Sequence, residues 1–166
     1  RTYRFEPGAG KTIRYGLGAI KGTGEAAIGS IVEARREGPF RDLFDFCHRV
    51  DKRLVNRRVV ESLIRAGAFD SLNDHRASLL ASVGVALESA EQASRAAHQV
   101  SLFGDLAESA QRPALADTQR WSDKERLQNE KAALGFYFSG HLFSIYRDEV
   151  RRFVADYNKR TGAAVI

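Results

Sequence analysis

The chain has 166 residues, 43% hydrophobic and 10% aromatic, with 26 Lys+Arg against 21 Asp+Glu for a net charge of +5. That composition excludes global disorder, and no apolar run approaches the roughly 18 residues of a membrane span, so no membrane partner is expected. One cysteine, Cys47, excludes an intramolecular disulfide and a cysteine-based zinc site; with no leader-like segment, this fits a reducing cytoplasm. The start at Arg1 and the absence of methionine lead us to expect a piece of a longer protein.

In chain order, Arg1–Tyr15 places Tyr3, Phe5, Ile13 and Tyr15 around the turn signal Pro7-Gly8-Ala9-Gly10, which predicts a short hairpin or a pair of strands. Leu17–Ile20 reads as one or two helical turns between glycines. Residues 24–36 carry Ala27, Ile28, Ile31 and Val32 at helical spacing, with Glu25 and Arg35-Arg36 complementing the helix dipole. A helix over 42–49 follows, burying Leu43, Phe44 and Phe46, with Asp42 and Asp45 on a solvated face. Asn56 is the expected N-cap of a helix through Ala66, ended by Gly67. The longest pattern runs from Asp74 to Ala97. Residues 99–119 show no period and read as a mobile linker. Ser122 and Glu125 predict a capping box for a helix to Leu134; 135–140 is an aromatic break, and 143–153 is a further helix.

The charge is uneven. Between Arg1 and Arg76, 15 Lys+Arg face 10 Asp+Glu; from there to the end the counts are 11 and 11. The excess can attract a polyanion, or it can be a solvated basic face. Gly10-Lys11-Thr12 lacks the earlier glycine of a phosphate-binding loop, Phe5 standing there. Gly22-Thr23-Gly24-Glu25-Ala26-Ala27 lacks the strand that a dinucleotide fingerprint requires.

The same glycines fit a turn between helices. Lys21, Gly22, Thr23 and Gly24 would present a helix N-terminus and a cation to one phosphate, a sequence-independent contact. In a second unit, Ile64-Arg65-Ala66-Gly67-Ala68 parallels Ile20-Lys21-Gly22-Thr23-Gly24, with Arg57, Arg58, Arg65 and Gly67 as weaker contact candidates. Two such units resemble a tandem helix-hairpin-helix domain. The expected fold is therefore mainly α: that tandem domain, a short N-terminal β element, and a C-terminal linker plus helices.

Three stretches, 13–24, 39–47 and 55–70, resemble the bacterial replicative DNA polymerase III alpha-subunit family, at the end of its fingers region and the helix-hairpin-helix domain that follows. Ala133–His141 is similar to the family's segment before its OB-fold, although Leu142 stands where the family has proline. The resemblance implies a division into 1–16 (end of fingers), 17–98 (tandem hairpins), 99–120 (clamp-binding motif and linker) and 121–166 (lead-in to an OB-fold). Gln99-Val100-Ser101-Leu102-Phe103 resembles the family's clamp-binding motif: Leu102 and Phe103 would fill a pocket of the sliding clamp (the beta subunit), and Gln99 would fix register. Duplex DNA and the other holoenzyme subunits are the remaining implied partners.

No catalytic site is expected. His48, His75, His98 and His141 are scattered, and no metal or cofactor site is expected here; the family's magnesium ions belong to palm aspartates upstream. Two alternatives stay open. One is a protein-interaction module in which only the clamp segment binds and the hairpins are structural. The other is a small repair lyase or glycosylase, for which no catalytic Lys or Asp is evident.

Overall fold

A computed structural model of the protein describes residues 3–103 and 113–162, the side chains of 98–103 excepted. Strands β1 (Glu6–Pro7) and β2 (Ile13–Arg14) pair antiparallel, with Glu6 opposite Arg14 and Pro7 opposite Ile13. A 3-10 turn, Leu17–Ala19, leads into α1 (Glu25–Ala34); then come α2 (Leu43–Arg49), α3 (Arg57–Arg65), α4 (Arg76–Phe103), α5 (Asp123–Leu134) and α6 (Leu142–Thr161). The described residues are mainly α-helical, as the periodicity predicts.

Local chemistry explains most boundaries. The Asn56 side chain accepts from Val59 N at 3.1 Å, and α3 ends before Gly67, which sits at φ +77°. At α5, Ser122 accepts from Glu125 N at 3.3 Å while the Glu125 carboxylate accepts from Ser122 N at 2.8 Å, completing the capping box. The first helix stops at Ala34, two residues before the sequence suggests, and 35–37 tighten into a 3-10 turn. The cause is Arg49, whose guanidinium donates to the carbonyls of Ala34, Gly38 and Pro39 and so caps α1.

Asp42 and Asp45 do not form the solvated face expected of them. Asp42 caps α2 by accepting from Asp45 N at 2.7 Å, and Asp45 holds Arg49 at 3.2 Å. Burial works against the Asp45 charge, but the Arg41 amide and the Arg49 guanidinium outweigh it and hold that carboxyl below its usual range.

Helices α2 and α3 pack on α4, and α5 packs on α3. Val59, Val60, Leu63 and Ile64 form the buried stripe of α3; Leu79, Val83, Ala86 and Ala90 form that of α4 at spacings of four, three and four. Ile28, Leu43, Cys47, Ala133 and Leu134 complete one shared core. Each fully buried Leu or Ile there contributes about 1.5–3 kcal/mol. Burial also pushes the Cys47 thiol up to about 12, so it packs as a small apolar group.

The linker reading needs correcting at both ends. Helix α4 continues through Phe103, so the backbone of Gln99–Phe103 is helical. From Pro113 the chain is docked: Ala116 N donates to Ser82 Oγ at 2.8 Å, Ser78 Oγ donates to Ala116 O, Leu115 packs on the core, and Arg120 pairs with Asp74 at 2.9 Å. Two serines one turn apart on α4 thus fix a segment that has no period of its own. Helix α6 outruns its expected end by eight residues, to Thr161. Leu142 is its first residue, the position where proline's missing N–H is harmless, so either residue suits the site.

Candidate nucleic-acid interface

Two turns carry the candidate contacts. In the first, Ile20–Gly24 joins the 3-10 turn to α1. Gly22 sits at φ +82°, a region that only glycine enters without strain, and a Cβ there would meet nothing closer than Ser62 Oγ at 3.6 Å. Gly24 is the N-cap, so no side chain satisfies the first-turn amides of α1, and Gly22, Gly24, Glu25 and Ala26 are exposed. Thr23 holds the turn from inside: its N–H donates to Ile20 O at 3.2 Å and its hydroxyl donates to Ile20 O at 2.6 Å and approaches Leu17 O at 3.0 Å. With both donors used and the residue buried, Thr23 is not a phosphate ligand, contrary to expectation.

The first turn rests on the end of α5. Lys21 N donates to Ala133 O at 2.7 Å, and its ammonium lies 3.6 Å from where a side chain on Gly135 would begin. Lys21 is exposed, and Arg58 lies exposed one turn before Ser62 on α3. Lys21, Gly22 and Gly24 therefore gather at one uncapped helix N-terminus, and Arg58 is a further exposed cation on α3, one turn from the Ser62 that faces Gly22.

The second turn is closed. Gly67 N donates to Ile64 O at 3.0 Å and Ala68 N to Leu63 O at 2.9 Å. A Cβ on Gly67 would lie 2.3 Å from Arg76 Nη2 and 2.8 Å from Asp70 Oδ2. Arg76 forks onto Asp70 at 2.7 and 2.5 Å and reaches Glu130 Oε1 at 2.9 Å. The other oxygen of Glu130, fully buried on α5, accepts from Phe138 N at 2.9 Å and Ser139 N at 2.8 Å. Burial opposes the Glu130 charge more than any single partner favours it, yet Ser139, Arg76 and Phe138 together keep its carboxyl below the usual value. Asp70, and then Glu130, raise Arg76 against its own burial. The helix start that follows is occupied too: His75 Nδ1 accepts from Ser78 N at 3.1 Å.

Gly67 is thus covered, and two of the three arginines expected beside it are engaged. Arg57 and Arg65 pair with Glu61 at 2.8 and 3.5 Å; Arg57 and Arg58 are both exposed, and Arg58 makes no ion pair among the described residues. Asp70, His75, Arg76 and Glu130, which organise the second turn, escaped the sequence reading. Glu130 had a signal: it falls at the apolar spacing of Leu127 and Leu134, where a carboxylate needs a partner. The side chains of Gln99, Val100, Ser101, Leu102 and Phe103 lie outside the described residues. Among the described residues no group of three or more His, Cys, Asp or Glu could hold a metal ion, and no helix is long and apolar enough to cross a membrane.

The helix-hairpin-helix motif family matches residues 2–79, which contain both turns. The DNA polymerase III subunit alpha of Neisseria meningitidis serogroup B is 51% identical over 152 residues, covering 90% of this chain and 13% of that protein. Those of Escherichia coli K12 and Pseudomonas aeruginosa are 44% and 41% identical, covering 92% and 91% of this chain and 14% and 15% of theirs. The chain therefore spans about one seventh of the length of these curated relatives.

Proposed function

The chain belongs to the family of DNA polymerase III alpha subunits, of which it spans one segment, and from that we propose that it holds duplex DNA by the backbone and tethers the polymerase to the sliding clamp. The observation carrying the DNA half is the uncapped N-terminus of α1, with Gly22, Gly24 and Lys21 exposed at it and Arg58 exposed on α3. Oriented amides and two cations suit a phosphate oxygen and read no base. Glu25 in the same first turn opposes a phosphate, so few contacts form and the isolated affinity is low and salt-sensitive.

Gln99–Phe103 supplies the tether in this reading, with Leu102 and Phe103 as anchors in an apolar pocket of the clamp. Tethering makes each rebinding a local event at high effective concentration, which is processivity. Nucleotidyl transfer and its magnesium ions are assigned to the rest of the polymerase, and this segment takes no cofactor. Functionally, 17–98 grips DNA, 99–120 tethers, and 121–166 leads towards the OB-fold, in the cytoplasm with the other holoenzyme subunits.

The test is a salt titration of duplex affinity by fluorescence anisotropy. Lys21→Ala is expected to weaken binding and to lower the log–log salt slope by about 0.9, the equivalent of one phosphate. An unchanged slope overturns the DNA contact. Leu102→Ala with Phe103→Ala is expected to abolish clamp binding in surface plasmon resonance, and retained affinity overturns the tether. A purely structural role for the hairpins is favoured at one place, the closed second turn.

A further inference from the structure

Beside the first turn lies a cluster of aromatic rings that no step above uses. Tyr15, the residue directly after β2, is ringed by Phe5, Phe136 and Phe138 at centroid distances of 4.7, 5.5 and 6.1 Å. In a protein core such rings are covered. Here Phe5 is 55%, Phe136 41% and Phe138 58% exposed. Tyr15 meets all three phenylalanines edge to face and Phe136 and Phe138 are tilted to each other, so none of the rings is stacked flat on another.

The platform is held rigidly. Glu130 pins the amides of Phe138 and Ser139, and Gly135 ends α5 immediately before Phe136. Its surroundings are basic. Residues 3–15 carry Arg4, Lys11 and Arg14 against Glu6 alone. Lys21 lies against Gly135, and Lys131 sits 5.2 Å over the neighbouring Tyr137 ring. Exposed rings rimmed by cations suit a polyanion whose bases stack. Lys21 of the first turn thus lies beside the glycine that immediately precedes Phe136.

We propose that Phe5, Phe136 and Phe138, around Tyr15, form a stacking platform for two or three unpaired bases of a single nucleic-acid strand. The inference extends the duplex-gripping reading, and its chemistry is separate: stacking against phosphate contact.

The experiment uses the 166-residue chain with two probes, a blunt duplex and an oligothymidylate of twelve nucleotides. Phe136→Ala with Phe138→Ala is expected to weaken oligothymidylate binding by about tenfold per ring and to leave duplex affinity unchanged. Leucine at both positions keeps apolar bulk without a ring and should lose the same affinity, whereas Phe138→Tyr should keep it; thermal melts matching the parent show that the fold survives. Unchanged oligothymidylate affinity in the alanine and leucine variants overturns the proposal. If those variants instead abolish self-association in sedimentation velocity with oligothymidylate binding intact, the patch is a protein contact and the proposal is likewise overturned. If Lys21→Ala spares the duplex while the platform variants lose oligothymidylate, the platform stands and the hairpin reading falls.

Discussion

The two turns share a sequence pattern and have opposite fates. Ile20–Gly24 and Ile64–Ala68 each place a positive-φ glycine between helical segments, at φ +82° and +77°. The first ends in Gly24, which offers no cap, so the amides of α1 stay open. The second is followed by His75, which caps α4, and by Arg76, which covers Gly67 and binds Asp70 and Glu130. A glycine turn can serve as an anion site only where the next helix is left uncapped and no internal cation fills the concavity. The second turn serves architecture, linking α3, α4, α5 and the aromatic break.

The largest effect expected from breaking this contrast is at Arg76. Arg76→Ala leaves Glu130 buried without its guanidinium and should cost about 3–5 kcal/mol in urea unfolding. Next come the glycines. Gly67→Ala meets both left-handed strain and a locked Arg76, and should cost about 3 kcal/mol, while Gly22→Ala meets strain alone, about 1–2 kcal/mol. Equal losses at the two sites would erase the distinction. Smaller still is the binding contrast within α3. Arg58→Ala should weaken duplex affinity by about threefold to tenfold and reduce the salt slope, whereas Arg57→Ala, already paired with Glu61, should change it little.

The smallest effect is a pH dependence. The folded state lowers the Glu130 carboxyl below its ordinary 4.5, so its contribution is fully present above that value and is lost as pH falls through the depressed one. Urea midpoints between pH 7 and 3 should fall less steeply for Glu130→Gln than for the parent; parallel curves would remove Glu130 as a source of acid sensitivity.

Much of this was legible in the residues. Asn56 and the Ser122/Glu125 box marked their helix starts because capping is local, set within three or four residues. Lys21, Gly22 and Gly24 were identified from the same short-range logic. The same logic also picked Thr23, and its burial was not legible, because its two acceptors, Ile20 O and Leu17 O, come together only when the turn closes. The docked part of the expected linker, 113–119, carries no local signal because Ser78 and Ser82, 38 and 34 positions from Ala116, hold it.

By itself the sequence determined the helical class, most helix starts, the pair of glycine turns and the family resemblance. All of these rest on periodicity, capping and motifs, which act over a few residues. Only the tertiary structure decided which turn is open. That choice depends on Arg76 meeting Glu130 across 54 positions and on Lys21 meeting Ala133, contacts between groups whose spacing in the chain carries no local signal.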